Sequence, residues 1–172
     1  MLLEFIAIIA AGFGLAGLAL LANIVLRRRL PPWIVPASAG AGMLLMAIWL
    51  EYSWFDRTTG TFPDTVEVAS TNQVRSWYRP WTYAVPLTNR FIAVDHRFDR
   101  RHAAAPGQVL TRLVLAGRWE PTRQYGAVFD CVGHRRADLL DQVELDDGGR
   151  LKNATWIQLS ADEPVLRNAC GR

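Results

Sequence analysis

The chain has 172 residues, half of them apolar and a fifth charged, which is enough for one small domain and a membrane anchor. Its formal charge of +3 comes mostly from Arg27, Arg28 and Arg29: Glu4 is the only acid before Glu51, and from residue 51 onward there are 16 basic and 15 acidic groups. A domain so nearly balanced lacks the clustered basic footprint that binding to DNA or RNA requires, and no nucleic acid is expected as a partner.

Leu2 to Leu26 is apolar except for Glu4 near its start and Asn23 near its end. At 1.5 Å per residue, about 20 residues cross a hydrocarbon core of roughly 30 Å. A second apolar run, Ile34 to Leu50, is free of charge and flanked by Trp33 on one side and by Trp49, Tyr52 and Trp54 on the other, aromatics suited to two membrane interfaces. Arg27-Arg28-Arg29-Leu30-Pro31-Pro32 lies between the runs, where two prolines stop a helix and permit a reversal. The expectation is a transmembrane helical hairpin over residues 1–54, with helices at about 2–26 and 34–52. A cleaved signal peptide would carry its basic residues before a shorter apolar core, and a buried helix of a soluble domain is the other reading of the second run; neither is favoured.

Short Arg-rich loops stay on the cytoplasmic side, so Arg27, Arg28 and Arg29 are the expected topology determinant. The N-terminus and the C-terminal domain then lie on the periplasmic side of a bacterial inner membrane, and the lipid bilayer is the first partner. Small residues recur four apart in Ala10/Gly14, Gly12/Ala16, Ala37/Ala41 and Ser38/Gly42. Gly12, Gly14, Ala16, Ser38 and Gly42 form the expected helix-packing face, serving the hairpin itself or a second membrane protein. With no charge in mid-membrane, the pattern offers no proton path or ion channel.

Residues 55–74 read as a turn-rich linker with one short strand, Thr65 to Ala69, and residues 75–172 as a β-rich domain. Trp77, Tyr78, Trp81 and Tyr83 fall within seven residues, and packing into a small core is favoured for them over a place at lipid headgroups. Strands are expected at Phe91–Val94, Val109–Leu115, Tyr125–Val132 and Ala154–Leu159, with a turn at Asp146-Asp147-Gly148-Gly149. Asp162 is expected to cap a last short helix through Ala169, with Pro164 in its first turn. Short strands without long intervening helices make the fold class α+β: a two-helix hairpin, then a small antiparallel sheet with minor helices.

Two cysteines in an exported domain imply one disulfide, Cys131–Cys170, closing a loop of about 40 residues. Sites for chemistry are weak. His96 and His102 flank a run rich in cations, a poor setting for a metal. Asp146 and Asp147 are too few for a calcium loop, Ser160 and His134 make no nucleophile motif, and Asn153-Ala154-Thr155 fits a glycosylation pattern alone. Arg75 to Arg101 holds six arginines against two aspartates, read as a solvated face rather than a headgroup contact. No catalytic residue, metal ligand or cofactor is expected.

The strand ending in Asp130-Cys131, the pair Arg135-Arg136, Trp156, and the ending Pro164 to Ala169-Cys170-Gly171 resemble the C-terminal part of the surface-adhesin protein E family over residues 125–171. The resemblance implies paired cysteines, a small antiparallel sheet with helices, and a role in binding proteins. Trp77-Tyr78-Arg79-Pro80-Trp81-Thr82-Tyr83 also resembles uncharacterised inner-membrane proteins of proteobacteria. The expected function is therefore non-enzymatic: a periplasmic domain that binds or scaffolds another envelope protein. The alternative is a small-ligand sensor or an enzyme with a pocket near the aromatic cluster.

Overall fold

A computed structural model describes residues 2–102, 105–139, 144–145, 151–152 and 154–171. The chain divides into two units, Met1–Trp54 and Phe55–Arg172.

The first unit holds α1 (Leu2–Val25) and α2 (Ile34–Thr59) as far as Trp54, and both helices are long and apolar enough to cross a membrane. The second helix runs past the expected end at residue 52, through Glu51, Asp56 and Arg57, because charge alone does not stop a helix. It ends where the Gly60 amide donates to the Asp56 carbonyl at 2.9 Å. Between the helices, Arg27 and Arg28 adopt left-handed backbone conformations, with φ of 55° and 58°. Asn23, the polar residue of the first apolar run, accepts the Leu30 amide at 3.1 Å and closes this loop.

The helices approach closely at Gly12 and Gly42, both buried. A Cβ on Gly42 would lie 2.7 Å from the Ala11 carbonyl oxygen, and one on Gly12 would lie 2.7 Å from Met43. Ala16 and Ser38 are half-buried in the same unit, whereas Gly14 is exposed and has nothing within 4 Å of its Cβ position. Gly14 thus lies outside the contact between the two helices: that contact follows Gly12 and Gly42, two residues round the helix from the Ala10/Gly14 stripe. Gly42→Leu should destabilise the hairpin by about 1–3 kcal/mol, as overpacking does, because the obstacle is backbone that cannot swing aside. Gly14→Leu should be neutral. Unfolding in rising fractions of denaturing detergent, followed by helicity, separates the two; equal midpoints would contradict the contact.

The second unit holds an antiparallel sheet in the order β1 (Val66–Val74), β2 (Leu87–His102), β3 (Ala105–Gly117), β4 (Glu120–Asp130), β5 (Arg135–Leu139) and β8 (Trp156–Gln158). A two-stranded ladder, β6 (Glu144–Leu145) with β7 (Leu151–Lys152), lies before β8 in the chain. The turn expected at Asp146–Gly149 and the acceptor Asn153 fall outside the described residues. Strand β1 occupies the second part of the stretch read as linker, and it is an edge of the sheet. The sheet with one short helix is the expected α+β class.

One face of the sheet carries Val94, Leu113, Ala127 and Phe129, packed against Val165, Leu166 and Ala169 of α3 (Pro164–Cys170). The opposite face carries Phe91, which meets the rings of Phe55 and Phe62 at 5.3 and 6.0 Å. Each such side chain, fully buried, contributes about 1.5–3 kcal/mol. The N-cap of α3 is Glu163, not Asp162, and it makes no side-chain capping bond; the Pro164 ring presets the first turn instead.

The short α3 is tied down at its C-terminal end. Cys170 forms the disulfide with Cys131, Cα to Cα 5.8 Å, fastening the helix to the end of β4. Next to it, Asp130 accepts from the Val132 and Gly133 amides and from Arg135 Nε. Burial pushes the Asp130 carboxyl upward, but those donors outweigh it and hold the group below the usual carboxylate range. On β2, the Arg97 guanidinium does the same for the buried Asp95, against burial and with help from Arg112.

Candidate functional site

Helix α3 covers only part of its sheet face. Toward the other end of the strands that face stays open as a groove of about 570 Å³. The register builds it row by row. Ser70 of β1, Ile92 of β2, Leu115 of β3 and Arg123 of β4 are successive cross-strand partners, and so are Asn72, Arg90, Gly117 and Glu120. Register shifts between Val68 and Ser70, between Asn72 and Gln73, and between Leu115 and Gly117 flank these rows. Such bulges bend a strand and re-aim its side chains, which opens the face where a flat sheet would leave none.

The floor, Ile92 and Leu115, is half-buried and continues the apolar core beneath α3. The rim is polar and mostly cationic. Arg90 pairs with Glu120 across the β3–β4 turn, while Arg123 is exposed and makes no ion pair among the described residues. The groove thus offers an apolar bed, one unspent guanidinium, and the Asn72 and Ser70 side chains. That set suits a ligand with an apolar body and a carboxylate, since guanidinium and carboxylate match in charge and fork geometry.

The same end of the sheet carries the aromatic segment. Residues 75–86 connect β1 to β2, with a short 3-10 turn at Pro80–Tyr83. Here the expectation of core packing fails: Trp77 is 84%, Tyr78 61% and Tyr83 57% exposed. The buried member is Thr82, whose hydroxyl accepts the Ser76 amide at 2.9 Å and donates to the Arg79 carbonyl at 2.7 Å. A small hydroxyl fills the inside of the turn, so the large rings have nowhere to go but out. Nor do these rings line the groove, so the pocket sits beside the aromatic cluster rather than in it.

The histidines read differently once placed. The His96 side chain is only 4% exposed and uses both ring nitrogens: Nδ1 lies 2.7 Å from Asp99, and Nε2 lies 3.2 Å from the Asn168 side-chain oxygen. Asn168 in turn donates to Glu67 at 3.0 Å. This chain of bonds links β2, α3 and β1 and engages both ring nitrogens within the fold. No group of three or more His, Cys, Asp or Glu suited to a metal ion occurs among the described residues. The disulfide pair Cys131 and Cys170 lies together as expected, and Arg27, Arg28 and Arg29 lie in the loop between α1 and α2. The groove residues Arg90, Arg123, Ile92 and Leu115, and the tie through Asn168, were not singled out from sequence. Only strand alternation carried a signal for them, and alternation does not reveal which end of a face is left uncovered.

Comparison with models of protein families, with curated proteins and with solved structures finds no match.

Proposed function

We propose that the chain is a non-enzymatic binding module of the bacterial inner membrane, which holds another envelope protein through the groove on its periplasmic sheet domain. The observation that carries this reading is the groove itself, with an apolar floor and at its rim Arg123, which makes no ion pair among the described residues. It binds and orients but contains no nucleophile with a base beside it, so recognition rather than turnover is its use. The shared chemistry of its ligand is a carboxylate on an apolar body, such as an acidic and aromatic segment of the partner. The likeness of residues 125–171 to the surface-adhesin protein E family supports the same kind of role.

The periplasmic placement draws on two independent observations. The arginine triplet between two apolar helices favours a cytoplasmic loop, and the Cys131–Cys170 bridge favours an oxidising compartment for the domain. Each alone would put the domain on the same side.

A second reading has its own support. A volume of about 570 Å³ lies in the range of small-molecule sites, roughly 300–1,000 Å³, so a free carboxylate ligand fits as well. One pair of measurements decides between the two. The full chain is purified from its membrane in mild detergent, as wild type and as Arg123→Glu, and the co-purifying proteins are quantified; phenylacetate is then titrated into both and followed by ligand-observed NMR. A stoichiometric protein lost in the variant supports the first reading. Saturable phenylacetate binding without such a protein supports the second. Removal of the charge-assisted contact should weaken binding roughly 10- to 100-fold. Identical behaviour of the two chains in both measurements would reject the groove as the site.

A further inference from the structure

We infer that the end of the sheet bearing the aromatic segment is a docking surface for the anionic headgroups of the bilayer that anchors the chain. The inference goes beyond the groove and rests on the membrane-anchor part of the reading above.

Two connections meet at this end, because the strands run antiparallel in sequence order. The β1–β2 segment brings Trp77, Tyr78, Trp81 and Tyr83, and the β3–β4 turn brings Trp119, itself 57% exposed. Arginines accompany the rings rather than acids. Arg79 stacks over Tyr78 with its guanidinium carbon 5.4 Å from the ring centre, and Arg118 over Trp119 at 4.6 Å. Arg75 is exposed beside them. From Arg75 to Arg90 there is no acidic residue, and Glu120, the acid of the turn, is spent on Arg90.

Clustered exposed Trp and Tyr are costly in water and settle where an apolar body and a polar tip are both satisfied, which is the headgroup layer of a membrane. A protein interface also favours Trp, Tyr and Arg. Two observations favour lipid. The charge is of one sign, complementary to an anionic leaflet. The domain is also joined in the chain to an apolar helix, with six residues between α2 and β1. A surface on a domain tethered by so short a connection meets the bilayer at high effective concentration.

The test uses the full chain reconstituted into vesicles of phosphatidylcholine alone or of phosphatidylcholine with phosphatidylglycerol, a share of the phosphatidylcholine carrying brominated acyl chains. Subtracting the emission of Trp77→Phe/Trp81→Phe from that of wild type isolates the two tryptophans. In the anionic vesicles their emission should be blue-shifted and quenched by bromine, since rings docked in this way sit about 5–10 Å into the headgroup boundary. Raising salt on the wild type should reverse the quenching, which needs no variant to fold. Each arginine near such a surface is worth roughly fivefold in the docking equilibrium, so Arg75→Gln/Arg79→Gln should lower the docked ratio about 30-fold. Flotation reports insertion separately. Chain that does not insert would overturn both the anchor and the docking. Inserted chain whose Trp77 and Trp81 emission is the same in both vesicles, or shifts only when solubilised envelope proteins are added, would overturn the docking alone, and in the second case would assign the surface to a protein.

Discussion

Cys131→Ser should lower the thermal midpoint of the sheet domain by roughly 15 °C or more, while leaving insertion of the helices unchanged. The bridge spans 39 residues, for which the loop-entropy estimate is about 4 kcal/mol, and a domain of this size loses several degrees per kcal/mol. The structure says where the loss appears. Helix α3 has seven residues, too few to persist alone, and it buries Val165, Leu166 and Ala169 on the sheet. Without the bridge it keeps the Asn168 contacts to His96 and Glu67, so it should open locally before the sheet melts. Limited proteolysis of the variant should therefore cut beyond Trp156 first, with β1–β4 intact. Reduction of the wild type should reproduce the pattern. A variant with the wild-type midpoint and no new cut would mean that the core contacts of α3 hold it unaided.

What was legible beforehand follows from how local each signal is. A spanning helix is a property of 20 consecutive residues, and a disulfide of two residue types in a compartment, so both could be read without knowing the fold. The strands β3 and β4 were also visible, because Val109 to Leu115 and Tyr125 to Val132 are apolar over most of their length. Strand β5 was missed: Arg135-Arg136-Ala137-Asp138-Leu139 looks like a charged loop, yet Ala137 is fully buried and Arg136 and Asp138 pair with each other at 2.8 Å. Its strand character comes from its neighbours β4 and β8, not from its own composition. The aromatic segment failed in the opposite direction. Trp and Tyr in quick succession read as core, but Thr82 takes the inside of a turn fixed by Pro80, and the rings are left outside. The groove was the least legible part. It needs four strands in register, three bulges and a helix too short to cover the face, and each of those is a relation between distant residues.

Orientation and the bridge should stand or fall together. In the proposed topology, Arg27, Arg28 and Arg29 hold the interhelix loop in the cytoplasm, and the domain meets oxidant only because that loop stays behind. With all three changed to Glu, the basic residue left near a helix end is Arg57, close after the second span. The rule that basic loops stay inside then favours the inverted orientation, with the domain in the cytoplasm. There the glutathione pool keeps thiols reduced. The triple variant should therefore show both Cys131 and Cys170 open to alkylation, and a periplasm-dependent reporter fused after Arg172 should be inactive, where the wild type shows no free thiol and an active reporter. Arg27 and Arg28 also sit in left-handed backbone, so a change of loop geometry has to be separated from a change of charge. Replacing all three by Lys keeps the charge and alters the side chains equally often; it should preserve orientation and bridge alike. If the Glu variant kept its disulfide and its reporter activity, the arginines would not set the topology. If the Lys variant lost them, the loop conformation rather than its charge would be the determinant.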